Sequence, residues 1–301
     1  MWWLPVALCA PILWAISTHI DKFLVERYFK ERNVAVLMVF TALLGLLLIP
    51  WIALFAPVFR LPLGSIGTIV LAGLLYMVAM VFYLGALQSE EASVVAPFFQ
   101  AAPIFAYALA YFVLHDTPSP HQLWGGGLVI AGSAILSLDP EHFGRPKIRL
   151  ITLMLACALA LAISSVIFKL FAIHDEFWTT TFWTYAGEAL FGAGVLAIPS
   201  LRGEFMMLLR RSTRALLAIN GANEVINLGG GLISRYALLL APLGLVQAIS
   251  STTTIFVFLF GLLLSRFFPA LGRENLAPKT LLQNGTGIII VAFGITLVNV
   301  R

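Results

Sequence analysis

The sequence predicts an all-α membrane protein of ten transmembrane helices, arranged as two inverted five-helix repeats. Three observations predict it. Hydrophobic residues fill 60% of the 301 positions and charged residues 11%, with a mean hydropathy of +0.98, which removes the chain from the soluble range. Apolar runs of about 20 residues, enough for a helix to cross a hydrocarbon core roughly 30 Å thick, recur along the whole length. A weak similarity also relates one half of the chain to the other. Lipid offers an open backbone group no partner, so the spanning element has to be the helix.

Taken in order, the spans lie near residues 2–20, 34–56, 65–87, 93–114, 121–138, 149–171, 178–198, 214–239, 243–264 and 280–300. The first run, Met1 to Ile16, lacks the basic n-region and small-residue cleavage site of a signal peptide and reads as a retained span. The breaks carry loop chemistry at Asp21 to Asn33, Pro57 to Gly64, Ser89 to Glu91, Asp116 to Pro120, Asp139 to Lys147, Leu201 to Arg214 and Arg266 to Lys279. All are short, so no separate soluble domain is expected. The polar stretch Asp139 to Pro146 divides the chain into a first repeat (1–138), a connection (139–148) and a second repeat (149–301).

The repeat rests on order more than on any one match. Span one reads Ala15, Ile16, Ser17, Thr18 and then Lys22; span six reads Ala162, Ile163, Ser164, Ser165 and then Lys169, a constant shift of 147 residues. Ile104-Phe105 in span four answers Ile255-Phe256 in span nine, and the glycine-rich start of span five answers Gly285 and Gly287 in span ten. Five is an odd number, so the two copies insert in opposite orientations. That is the architecture in which a midplane site is exposed alternately to either side.

Charge sets the orientation and excludes whole classes. With loops assigned alternately, one face holds fourteen Lys and Arg residues and the other only Arg60 and Arg301. The positive-inside rule then puts both termini outside the cytoplasm. The formal charge of +4 belongs to this lipid-facing bias, and no basic stripe interleaved with aromatics suggests nucleic acid. Cys9 and Cys157 lie inside apolar runs without metal or disulfide spacing and read as packing residues. No Walker-type loop, HExxH or GxSxG motif occurs, so neither a metal nor another cofactor is expected.

An ionisable group at the centre of a membrane helix costs roughly 2.5 to 3.5 kcal/mol by insertion scales, so each such residue needs a reason. Glu188 lies halfway along span seven and is a candidate proton carrier; its bland alternatives are a bond to a neighbouring helix or a pairing with Lys169. Asn220, Asn223, Glu224 and Asn227 are spaced three and four apart on span eight, which puts them on one face. That stripe should face a cavity or another polar helix, and Glu224 is the second proton-coupling candidate. Gly229, Gly230 and Gly231 follow and suit a hinge or close packing. Arg235, three turns beyond Glu224, needs an acid, a substrate anion or a route to the interface, of which snorkelling is the favoured expectation.

Span four holds Pro97, Gln100 and Pro103, and the corresponding part of span nine holds Gln247 and the run Ser250 to Thr254. Two broken or polar segments at matching places in inverted halves are the usual sequence pointer to a binding site, against ordinary Ser/Thr helix bonding. Trp14, Tyr76 and Tyr83 suit aromatic cavity walls, though single aromatics at helical spacing more often pack. His19, Asp21 and Lys22 cluster at the end of span one, where interfacial solvation is the default and a gate the alternative. The residues expected to bind substrate are therefore Trp14, Tyr83, Gln100, Asn223, Glu224, Asn227, Gln247 and Ser251. Those expected to act structurally or in gating are Lys22, Lys169, Arg235, Pro97 and Pro103.

Several of these features also resemble a known family. Trp14 with Lys22, the run Tyr83-Leu84-Gly85-Ala86-Leu87, then Glu91 to Pro97, Pro103-Ile104-Phe105-Ala106, and Gly125 to Gly132 are similar to an EamA-type member of the drug/metabolite transporter superfamily. Arg235 to Leu238 and Gly244 to Phe256 repeat the pattern more loosely. The resemblance implies a ten-helix carrier of small organic solutes such as amino acids or metabolites. Its cavity would be walled mainly by spans one, three, four, six, eight and nine. Where the family usually has Gly-Glu after span four, this chain has His115-Asp116. Bacterial members are also usually drawn with cytoplasmic termini, contrary to the charge count.

The expected function is a secondary transporter in a bacterial-type plasma (inner) membrane, proton-coupled or facilitative. It would move an amino-acid-like or related solute by alternating access. A flippase for lipid or lipid-linked carriers is the alternative on the same fold, and a membrane enzyme the alternative from another class. The expected partners are the solute and the bilayer, with no nucleic acid and no obligate protein partner, a homodimer remaining open.

Overall fold

The computed structural model describes residues 2–24, 33–89, 95–137, 148–211, 214–267 and 278–299. Every regular element among them is helical: α1 (Trp3–Leu24), α2 (Val34–Phe55), α3 (Leu63–Ser89), α4 (Ala101–Leu109), α5 (Pro120–Ser137), α6 (Ile148–Asp175), α7 (Phe177–Ala197), α8 (Pro199–Arg211), α9 (Arg214–Leu240), α10 (Leu243–Ser250), α11 (Thr253–Phe267) and α12 (Pro278–Asn299). A 3-10 turn over Ala96–Gln100 leads into α4, and a π-helical turn over Ala110–Leu114 leads out of it. The predicted loop residues 25–32 and 268–277, Glu91 with the residues up to Val94, and the connection 139–147 lie outside the described residues. So do the side chains of Lys22 and Pro97.

Local chemistry sets the element ends. Asn33 caps α2, its side chain accepting from the Ala35 N–H at 3.0 Å. At α5 the Ser119 N–H donates to the Gln122 side chain and the Gln122 N–H donates back to the Ser119 hydroxyl, a reciprocal capping box with Pro120 as the first helical residue. Span nine breaks into α10 and α11 where the Ser250, Thr252 and Thr253 hydroxyls donate to carbonyls three or four residues back.

The helices pack as a bundle. α1 lies along α9, α3 along both α6 and α7, α2 along α7, and α5 along α12, while α4 packs on α6 and α10. Two contacts are backbone-close. A Cβ on Gly125 would come 2.7 Å from the Gly294 carbonyl and one on Gly132 2.8 Å from the Gly287 carbonyl, with the reverse contacts equally short. Gly73 of α3 and Gly187 of α7 meet in the same manner, the first against the Thr184 carbonyl and the second against that of Val70. Gly285, expected to take part in the repeat's glycine pattern, faces open space. Around the bundle, Trp51, Phe112, Trp124, Ile289 and Phe293 are exposed, the apolar surface a lipid solvent requires.

One sequence expectation changes. The stretch Leu201 to Arg214, read as a loop, contains most of α8, which leaves α7 at a bend of 99°. Phe205 and Leu208 are buried on α8 while Arg202 and Arg210 are exposed, the division expected of a helix lying in the membrane surface. Of the ten expected spans, six among the described residues are helices long and apolar enough to cross a membrane, or seven counting the bent α7–α8 pair. The other predicted spans are helical but shorter, as over Phe98–Leu114, or more polar, as in α9 with its Asn, Glu and Arg residues. Of the two cysteines, Cys157 is buried beside Ala79 and Ala160, whereas Cys9 is exposed.

Candidate functional site

The polar face of α9 is buried. Asn220, Asn223 and Glu224 turn inward while Asn227 is half-buried, and α9 lies against α1 and the middle of the bundle. The Asn223 amide donates to the Asp21 carboxylate of α1 at 2.6 Å, and the Ser17 hydroxyl donates to the other oxygen of Asp21 at 3.4 Å. Glu224 accepts from the Thr41 hydroxyl of α2 and feels the charge of Asp21. Two acids from different halves of the chain thus meet at one place. Asp21 is not simply solvated at the interface, as the sequence suggested. Its i, i+4 spacing to Ser17 was the signal for this, and nothing in the sequence singled out Thr41.

Glu188 and Arg235 form the second centre. Arg235 donates to the Glu188 carboxylate at 2.6 Å, and its guanidinium lies 4.9, 5.6 and 5.8 Å from the Tyr185, Phe168 and Tyr76 ring centres. Snorkelling is therefore overturned for Arg235, because an acid and three rings hold it inside. Neither is Lys169 the partner of Glu188. The Gly73–Gly187 contact brings α3 and α7 together one residue before Glu188, which aims the carboxyl into the bundle. Tyr76 lies within the fields of Glu188, Arg235 and Glu224 and so sits between the two centres.

Lys169 belongs to a third group. Its ammonium, buried on α6, donates to Asp116 at 2.8 Å and to the Ala241 carbonyl at 2.9 Å, and Asp116 also accepts from the Leu243 N–H at 2.8 Å. This latch joins α6, the turn before α5 and the start of α10. The chain reaches it through His115, whose φ of 53° is left-handed, a region His enters more readily than most residues. His115-Asp116 thus supplies a left-handed backbone followed by a carboxylate, the two properties a Gly-Glu pair would bring. A cavity of about 370 Å³ opens beside the latch, lined by Tyr107, Tyr111, Asp116, Thr117 and Gly244 among others.

The remaining expected residues divide. Gln100 is buried at the 3-10 turn, next to the Phe99 ring that packs on Tyr83 with centres 4.6 Å apart. Gln247 donates to Ser165 at 2.9 Å, joining α10 to α6, and Ser251 is buried at the α10–α11 break. Ser250, Thr252 and Thr253 bond their own helix, so ordinary Ser/Thr bonding accounts for them. Pro103 is buried within α4. Trp14 packs against Gly230, where the missing side chain admits its ring, whereas Gly231 faces open space, and α9 runs unbroken through Gly229 to Gly231. His19 lies 3.0 Å from the Val257 carbonyl. Among the described residues no group of His, Cys, Asp and Glu side chains converges to hold a metal ion.

Residues 1–138 match the model of the EamA-like transporter family. A solved crystal structure of another protein aligns with 99% of this chain and 96% of its own at a TM-score of 0.70, with 14% identity. That similarity carries the fold alone. No curated protein matches the chain.

Proposed function

From the match of residues 1–138 to the EamA-like transporter family, we propose that this multi-pass membrane protein is a secondary transporter. It moves a small organic solute, amino-acid-like or related, by alternating access. One observation carries the reading: buried polar groups from the two halves of the chain meet inside the bundle, Asp21 with Asn223 at 2.6 Å and Thr41 with Glu224. Groups that expensive to bury in lipid mark a solute or ion path.

Ten spans in two inverted repeats are part of the proposal, and the packing supports them. A two-fold exchange that relates α1 to α6 and α3 to α9 carries the α1–α9 contact onto the α6–α3 contact. The same exchange carries the α5–α12 and α2–α7 contacts onto themselves, as the reciprocal Gly125–Gly294 and Gly132–Gly287 approaches require. Asp21, Asn223, Glu224, Asn227 and Gln100 form the solute region in this reading, flanked by Trp14 and Tyr83, with Gln247 and Ser251 approaching from α10. Glu188 and Glu224 carry the proton coupling. The Lys169–Asp116 latch is the gate on the side away from the basic loops. In this reading that side, and both termini, lie outside the cytoplasm of a bacterial-type plasma membrane, an orientation that the bias of Lys and Arg among the loops favours.

The test is solute exchange by the purified chain in liposomes. Wild type should exchange a small polar solute with a measurable pH dependence, and Glu188→Gln or Glu224→Gln should alter that dependence. Exchange with an unchanged pH profile in both variants removes the proton role. Translocation of labelled lipid without solute exchange replaces the transporter reading with the flippase.

A further inference from the structure

Among the unpartnered buried atoms of Asn220, Asn223 and Gln100 acceptors outnumber donors, and this imbalance specifies what is missing. The Asp21 carboxylate receives Asn223 Nδ2 at 2.6 Å and Ser17 Oγ at 3.4 Å, both neutral donors, and Glu224 receives the Thr41 hydroxyl. Asn223 is fully buried at 0% exposure, and with its amide nitrogen committed to Asp21 its carbonyl oxygen has no hydrogen-bond partner. One turn away on the same face, Asn220 is 5% exposed with both side-chain polar atoms unpartnered. In the 3-10 turn before α4, Gln100 is 7% exposed with its carbonyl oxygen unpartnered. Buried acceptors left unpaired are rare in native proteins and call for an explanation.

Among the described residues the buried ion pairs are Lys169 with Asp116 and Arg235 with Glu188, one acid to each base. Asp21 and Glu224, the first acting through its charge on the second, have no such partner there, so two acids share one low-dielectric place. A cation settling between them would relieve the repulsion. A primary ammonium has three donors and no acceptor, which matches a pair of carboxylates flanked by amide oxygens. Tyr83, which feels the charge of Asp21 and packs on Phe99, adds aromatic surface suited to a cation. A carboxylate or phosphate solute would meet two acids and mostly acceptor oxygens, with the Asn220 amide nitrogen as the one unpartnered donor among them.

We infer that Asp21, Asn223 and Glu224 form the recognition point for a solute that carries a primary ammonium group, a simple amine or the amino end of an amino acid. The inference rests on the transporter reading and names its substrate class.

It is tested on the full chain in detergent and in liposomes with four matched probes: isoamylamine, leucine, 4-methylpentanoate and isoamyl alcohol. They share one branched carbon skeleton and differ in the nitrogen and the carboxylate. A wider set of primary amines, amino acids, carboxylates and uncharged metabolites is screened beside them. The ammonium-bearing probes should raise the melting temperature and compete for exchange. The isosteric Asp21→Asn should weaken that response at least tenfold, and Asn223→Ser severalfold, each variant first shown to melt cooperatively without solute. Responses led by carboxylates or uncharged solutes, or an amine response undiminished in Asp21→Asn, overturn the inference while leaving a transporter in place. No binding and no flux with any class overturns the transporter reading and the inference together.

Discussion

Two helix contacts in this protein solve the same problem by opposite means. Where α5 meets α12, four glycines let the backbones approach until a Cβ at any of them would lie within 3 Å of the facing helix. The polar contribution there includes one hydrogen bond, from Gln283 to the Ile135 carbonyl at 2.7 Å. Where α7 meets α9, a full ion pair is buried, Glu188 with Arg235 at 2.6 Å, inside a ring of Tyr76, Tyr185 and Phe168. The first contact demonstrates that helices of this bundle associate in lipid without charge. Holding the bundle together is therefore no reason for the second, and an expensive pair kept at the centre points to work done there.

The largest effect expected is on the charged side of that comparison. Glu188→Ala leaves the Arg235 guanidinium buried without its acid, and breaking a buried pair this way costs about 3–5 kcal/mol. Thermal unfolding in detergent should register the loss, and Arg235→Met in the same chain should recover much of it. A double variant as unstable as Glu188→Ala alone would mean that packing around residue 188, not the lone charge, is responsible.

Next comes the latch, a charged contact nearer the edge. Lys169→Met removes bonds to Asp116 and the Ala241 carbonyl and leaves Asp116 with the Leu243 N–H. A loss of about 1.5–3 kcal/mol follows, the range for hydrogen bonds to charged groups. If the latch is a gate, exchange should change more than stability does. A variant that loses stability but exchanges solute at the wild-type rate would move Lys169 to the structural side of the comparison.

On the apolar side, Gly132→Leu forces a side chain against the Gly287 carbonyl, 2.8 Å from where its Cβ must go. Overpacking of this kind costs about 1–3 kcal/mol. The folded fraction should bind solute with wild-type affinity, since no candidate residue lies on α5 or α12. A loss of affinity without a loss of stability would show that this seam moves during transport.

The same contrast separates what the sequence discloses from what it conceals. Hydropathy and loop chemistry placed nearly every helix end within a few residues, because burial in lipid demands long uninterrupted apolar runs. They missed α8, whose alternation of Arg with Phe and Leu over a dozen residues mimics a polar loop until the membrane surface is considered. The spacing of Asn220, Asn223, Glu224 and Asn227 revealed a buried face, since period alone settles that. Pairings were harder. Glu188 could have taken Lys169, and Arg235 could have reached the interface, because spacing within one helix says nothing about which helix lies opposite. The answer came from Gly73 and Gly187, whose missing side chains set the approach of α3 to α7 and hence the aim of Glu188.

The smallest expected effect tests a contact that lies between the two extremes. Gln247 of α10 donates to Ser165 of α6 at 2.9 Å, a neutral hydrogen bond joining helices that also supply candidate site residues. Interhelical hydrogen bonds in membranes average only about 0.6 kcal/mol by double-mutant cycles, with a maximum near 1.7, because the unfolded state in lipid also finds partners. A cycle of Gln247→Leu and Ser165→Ala should therefore give a coupling of about 0.6 kcal/mol in thermal unfolding. If Gln247 serves the solute as well, the cycle read in solute affinity should not close at that value, because the bond must be exchanged for one to the ligand. Equal coupling in both measurements would make Gln247 a stabilising residue like the glycines of α5 and α12 and remove it from the site.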